Sequence, residues 1–284
     1  MRFTILTFIF SLFLVSSATI VAQEVELGII GGISIYSGDL SPKEFGLYFE
    51  DSNPAGGLYV RYRPTNRLAL RVHGVFTKVS ATADSDLTGT GIGQTLNFQS
   101  QVSEMGIQAE LDLFYIGDKN ANHLAPYASL GYSFISVDPE GNRDGVLTRL
   151  QPLATEGQGI GGPDYAPVPY SLSEGVLNFG GGLRWRVSDR IVVGAEITGR
   201  RVASDYLDDV SNVRVNYFDI LENTGPLGAS FSNPTLQNPT PGSSEATYTR
   251  GGEFADWYFV GGVTVGIIIG EGKGGRGQTG CYKF

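Results

Sequence analysis

The stretch EVELGIIGGISIYSG, Glu24 to Gly38, decides the fold. Its apolar residues Val25, Leu27, Ile29, Ile33 and Ile35 fall on odd positions, and Glu24, Glu26, Ser34 and Tyr36 on even ones. Successive side chains of a strand point to opposite faces. The segment therefore predicts a strand with two carboxylates on one face and nearly pure hydrocarbon on the other. The fold turns on which face meets water.

The alternation returns along the chain. Leu58, Val60 and Tyr62 face away from Tyr59, Arg61 and Arg63, and Leu68, Leu70, Val72 and Phe76 from Ala69, Arg71, His73 and Thr77. Met105, Ile107, Ala109, Leu111 and Leu113 oppose Glu104, Gln108, Glu110 and Asp112. Ala128, Leu130, Tyr132 and Phe134 oppose Tyr127, Ser129 and Ser133. Leu177, Phe179, Leu183 and Trp185 oppose Asn178, Arg184 and Arg186, while Ile191, Val193, Ala195 and Ile197 oppose Glu196, Thr198 and Arg200. Last, Trp257, Phe259, Val263, Val265, Ile267 and Ile269 oppose Tyr258 and Thr264. A period of two over segments of about ten residues is a strand pattern. With the first, eight strands are expected.

Composition agrees. The 284 residues are 41% hydrophobic and 17% charged, with 40 glycines and 14 tyrosines, as a turn-rich all-β chain requires. The formal charge of −9 argues against nucleic acid, whose phosphates need clustered Lys and Arg. Arg2, the apolar run FTILTFIFSLFLV and the small and polar SSATIVAQ read as a leader of an exported protein, cleaved between Ala18 and Gln23. Residues 1–22 are thus expected to be a signal peptide, 23–270 a barrel and 271–284 a flexible tail. No later stretch reaches the ~18 apolar residues of a membrane-crossing helix.

Eight alternating strands also build soluble barrels of the lipocalin kind, with the apolar face inward. Connection lengths favour the other solution. PTNR joins strands 2 and 3, SDR joins 6 and 7, and GDKNANHLA links 4 and 5, whereas the remaining links are long and the last runs from Ala203 to Ala255. Short and long links alternate strictly, as in an outer-membrane barrel with tight periplasmic turns and long external loops. The expected fold is all-β: an eight-stranded antiparallel transmembrane β-barrel of outer-membrane type, with short periplasmic turns and long extracellular loops. Val25 to Ile35 then meet lipid, and Glu24 sits at the periplasmic rim.

In that geometry the lumen receives Arg61, Arg63, Arg71, Arg184, Arg186 and Arg200 against Glu26, Glu104, Glu110, Asp112 and Glu196. Eight strands leave an interior that side chains fill. Buried charges persist only when paired, so these residues are expected to form a structural salt-bridged plug rather than a diffusion pore. A rim enzyme is the rival class, but His73 lies mid-strand and His123 in an inner turn, too far apart to cooperate. No zinc spacing or phosphate-binding loop is present, and no cofactor or small-molecule substrate is expected. Asp208–Asp209 reads as a solvated turn rather than a calcium loop. TADSDLTGTGIGQ and FSNPTLQNPTPGSS read as surface loops, and the segment from Asp138 to Gly175 has enough apolar residues to fold back on the barrel mouth.

Several stretches carry a resemblance: ELGIIGGISIYSGDL near the start, APYASLGYSF at strand 5, YLDDVS after strand 7, RGGEFADWYFVGGVTV into the last strand, and the terminal CYKF. In this order they resemble the PorG-like family of Bacteroidetes outer-membrane barrels, part of the type IX secretion and gliding machinery. Its loop motifs fall here on Tyr206, Leu207, Asp208, Asp209, Arg250, Gly251, Asp256, Trp257 and Tyr258. The resemblance implies a non-enzymatic subunit in outer-membrane lipid, associated with a periplasmic ring lipoprotein and its ring partner. The Gly-rich tail GEGKGGRGQTGCYKF suits periplasmic docking, with Lys273, Arg276, Cys281, Tyr282, Lys283 and Phe284 as candidate contacts. Cys281, the one cysteine, has no internal disulfide partner. A surface-binding barrel acting through its external loops remains the alternative.

Overall fold

Eight strands form where the alternation runs: β1 Glu24–Ser37, β2 Asn53–Arg63, β3 Leu68–Thr82, β4 Asn97–Asp112, β5 His123–Arg143, β6 Ser173–Arg186, β7 Ile191–Val202 and β8 Trp257–Ile269. The structure, a computed structural model, describes residues 24–41, 45–83, 96–118, 122–236, 239–252 and 254–269. The expected leader 1–22 and the tail contacts Lys273 to Phe284 lie outside the described residues.

Each strand pairs antiparallel with its sequence neighbours, and β1 pairs with β8 from Val25↔Ile269 to Ser37↔Trp257, so the sheet closes on itself. Closure removes both edges, which is what allows strands to cross a membrane. No helix among the described residues is long and apolar enough to do so. The alternation then sorts the two faces. Leu58, Phe76, Met105, Phe134 and Val263 are exposed outside, while Arg61, Arg71, Glu104, Glu110 and Arg200 are buried inside. On β3 the apolar face runs from Leu68 to Phe76 and on β4 from Met105 to Leu111, continued by Leu113 just past its end, the height of a lipid band of about 25 Å.

Beyond that band β3, β4 and β5 continue upward, and their outward faces turn polar with Lys78, Gln99, Asp138 and Glu140. The outer end is closed by its connections. The segment Ala203–Ala255, read as loop, contains a helix, α1 Tyr217–Ser232, broken at Gly225–Pro226, and a two-stranded ribbon pairing Arg214–Asn216 with Thr247–Thr249. Asn216 caps α1 by accepting from the Phe218 amide at 3.0 Å. Ile220, Ala229 and Phe231 from α1 join Tyr36, Phe98, Val102, Ile135 and Leu150 in one apolar cluster inside the outer mouth. FSNPTLQNPTPGSS is therefore not surface loop throughout. Its first residues end a helix whose apolar side completes this core.

Candidate functional site

Every strand-borne charge that the period of two turns inward finds a partner. Arg61 sits between Glu26 and Glu110, with its Nε 2.7 Å from Glu110. Glu110 also takes Arg184 and, at 3.3 Å, Arg71. Arg71 donates through both terminal nitrogens to Glu196, at 2.7 and 2.8 Å, the bidentate arrangement that a planar guanidinium favours. Asp112 bridges Arg184 and Arg63, the latter at 3.0 Å. At the inner rim Arg186 reaches Glu24 at 2.9 Å, which brings five arginines against five carboxylates in this layer. Tyrosines complete the lattice: Tyr59 donates to Glu26 and Tyr127 to Glu196, both at 2.5 Å, and Arg184 lies over the Tyr127 ring at 4.2 Å. Gly28 makes room here, since a Cβ on it would lie 2.3 Å from the Tyr59 ring.

One layer higher, Glu104 gathers Arg200 Nε at 2.7 Å, His73 Nε2 at 3.0 Å, Ser133 at 2.8 Å, Asn178 at 3.2 Å and the Tyr258 hydroxyl at 3.0 Å. His73 is thus held in the wall of the interior, where it and Ser133 serve the same buried Glu104 carboxylate. His123 starts β5 at the inner end.

Above Glu104 lies a second polar assembly, built from the two loop motifs. Tyr36 contacts Asp208 at 2.6 Å and Asp256 at 3.0 Å. The Leu207 amide donates to Asp256 at 2.8 Å and the Val210 amide to Asp208 at 3.0 Å. A phenol carries one hydrogen, so both Tyr36 contacts are hydrogen bonds only when one of the two carboxyls is itself protonated. Burial and the neighbouring Asp256 charge push Asp208 well above the usual carboxylate range, and burial with Asp205 does the same to Asp256. Beside this pair, buried Arg250 donates to Thr155 at 2.6 Å, to the Asp209 carbonyl at 2.5 Å and to its carboxylate at 3.1 Å. Tyr170 donates to Asp209 at 2.7 Å. Glu156 accepts the Ser211 amide at 2.8 Å, and burial outweighs the Arg250 charge to push its carboxyl up to about 8. Gly251 permits the approach of Asp39, whose Oδ2 would lie 2.2 Å from a Cβ at that position.

Asp208 and Asp209 are accordingly buried, not the solvated turn expected from their sequence. Asp209 adopts φ of 67°, a left-handed conformation that Asp tolerates, and Arg250 holds it there. Among the described residues no group of three His, Cys, Asp or Glu side chains is placed to hold a metal ion. Tyr206 stacks on Tyr170 with ring centroids 4.7 Å apart, and Leu207 is buried. Trp257 faces outward at the rim and Tyr258 inward. Sequence reasoning missed Tyr36, Thr155, Glu156 and Tyr170 as parts of this cap. The long polar–apolar mixture from Asp138 to Gly175 was the one signal for the last three.

The closed wall, its apolar outer band and its ion-paired interior define a transmembrane β-barrel of outer-membrane type, its lumen lined by paired charges. The chain belongs to the family described as Domain of unknown function (DUF6089), whose profile matches residues 4–146. No curated protein matches the chain. Solved structures similar to it include the outer membrane protein OprG of Pseudomonas aeruginosa, at 12% identity and TM-score 0.40, covering 88% of this chain and 99% of that one. Ail, the attachment invasion locus protein of Yersinia pestis solved with the heparin analogue sucrose octasulfate, has 10% identity and TM-score 0.38, covering 87% and 99%. Neisserial surface protein A has 9% and 0.36, covering 86% and 96%. The fold assignment rests on the strand pairing and the apolar band, not on these likenesses.

Proposed function

We propose that this chain is a non-enzymatic outer-membrane subunit that anchors or assembles the type IX protein secretion and gliding machinery. It does so by binding the periplasmic ring lipoprotein and that protein's ring partner. The observation that carries the reading is the filled interior: the ion lattice from Glu24 to Glu104 and the apolar and polar cap above it leave the barrel its surfaces with which to act. The ordered PorG-like motifs supply the machinery, and YLDD and RGG supply its capped end. Docking is assigned to the periplasmic side, through the tail residues Lys273, Arg276, Cys281, Tyr282, Lys283 and Phe284.

The test is affinity purification of the tagged full-length protein from mildly solubilised membranes, with a deletion strain assayed in parallel. Co-purification of the ring lipoprotein and loss of secretion of cargo bearing the C-terminal sorting domain are expected. Intact secretion with no ring protein recovered overturns the proposal. If binding to an external partner is lost on altering 203–255 while tail deletion has no effect, the loop-binding alternative takes its place.

A further inference from the structure

Among the described residues the wall is covered on its outward face where β1 meets β8. Ile35, Ser37 and Phe259 all point outward by the alternation of β1 and β8, and Ile35 pairs with Phe259. Yet Ile35 is 4% exposed and Phe259 8%, against 57% for Val263 on the same face of β8. The cover comes from the first outer connection. The Gly46 amide donates to Ser37 Oγ at 3.0 Å, and the Phe45 ring packs edge-on against Phe259 at 5.5 Å and Trp257 at 5.6 Å. Residues 45–52 therefore do not fold into the mouth as 203–255 do. They fold back down the outside of the barrel.

On that outside they present a second apolar face. Phe45, Leu47 and Phe49 are 60%, 42% and 63% exposed, whereas Gly46 and Tyr48 between them are only partly so. The level is fixed by what lies beside them. Trp257 touches Phe179 of the apolar band at 5.5 Å and pairs across the ladder with Arg201, an exposed cation on the outward face of β7. Trp and Arg side by side at the end of an apolar band mark the membrane–water boundary. The apolar run stops at Phe49 and is followed at once by exposed Glu50 and by Asp51. Through Trp257 the patch is thus continuous with the lipid-facing band, and along the chain it is followed by charge.

We propose that residues 45–52 form a wedge seated in the outer leaflet, with Phe45, Leu47 and Phe49 among the upper acyl chains and Glu50 and Asp51 at the headgroups. Lipid, rather than a second copy or another protein, is the occupant, because the patch extends a surface that already faces acyl chains and ends where headgroups begin. The geometry is that of an interfacial segment lying flat with its apolar side down. It fixes the rotation and depth of the barrel from the side where β1 and β8 meet.

Nitroxide labelling of the full-length protein tests this in liposomes. Phe49→Cys is introduced with Cys281→Ser, so that one site carries the label, and folding is verified by heat-modifiable gel mobility. Leu47→Cys gives the same reading should Phe49→Cys fail to fold. Ile29→Cys in the band and Gly145→Cys at an exposed loop tip serve as references. The label at 49 is expected to collide preferentially with oxygen, as at 29, and several-fold less with a water-soluble nickel chelate than at 145. A label at 49 that behaves like that at 145 overturns the wedge. So does a label that reaches neither reagent, the result of a second copy covering the patch.

Discussion

Glu110 and Asp256 are both buried carboxyls, and their neighbours give them opposite characters. Glu110 faces three guanidiniums, those of Arg61, Arg71 and Arg184. Its charge is what makes their burial tolerable, since breaking a buried pair leaves an uncompensated charge at a cost of about 3–5 kcal/mol. Glu110→Gln is expected to destabilise the folded barrel by about that amount, read as a lower urea midpoint for unfolding from liposomes. Asp256 faces another carboxyl through one phenol. Asp256→Asn places an NH2 where the proton of the acid stood, still accepts the Leu207 amide, and is expected to change stability by less than about 1 kcal/mol. A loss for Asp256→Asn as large as that for Glu110→Gln would mean that Asp256 is held as a charge on which the cap depends.

At the scale of elements, the barrel and its cap respond to different variables. The cap from Ala203 to Ala255, with the segment around Thr155 and Glu156, holds carboxyls raised by burial: Glu156 to about 8, Asp205 to about 7, and Asp208 and Asp256 well above their usual range. Such groups bind protons in the closed cap that they release when it opens at the same pH. Their contribution to closure is fully present below about 4, the ordinary carboxylate range, and is lost as pH rises through about 7 to 8. Amide exchange in α1 and the ribbon Arg214–Asn216/Thr247–Thr249 should therefore speed up between pH 5 and pH 9 beyond the intrinsic rate. The strands β1 to β8 should show no such excess. An unchanged cap across that range would remove the protonated-carboxyl account.

Over the whole molecule, an ionic lattice and an apolar plug lie in series along one narrow cylinder. An eight-stranded wall leaves an interior that side chains fill, and here the described lumen residues are buried ion pairs with an apolar cluster above them. Planar bilayers containing the purified protein are expected to show no stable conductance at neutral pH. The same is expected of Arg250→Ala, which loosens the cap while leaving the lattice below it intact. Sizeable, long-lived channels from the unaltered protein would return the lumen to candidacy as a conduit. Sizeable channels from Arg250→Ala alone would make the cap, not the lattice, the seal.

The wall was legible because a period of two is a local property. Val25 to Ile35 name a strand and both its faces without reference to any other residue, and eight such segments with alternating short and long links leave one way to close. The inward set from Glu26 to Arg200 followed from the same parity, but not its pairing: Arg71 meets Glu196 across 125 positions, and only closure brings them together. The outer connections carry no period. Asp208 and Asp209 look solvated until Tyr36, Thr155 and Arg250 arrive from three other parts of the chain, and Ile35 looks lipid-facing until Phe45 and its neighbours fold over that wall. The sequence by itself determined which side chains share a face, since backbone geometry sets that within a few residues. Which charges neutralise one another, what closes the mouth and where the wall is covered belong to the tertiary structure, because those contacts exist only after distant segments have been brought within a few ångströms.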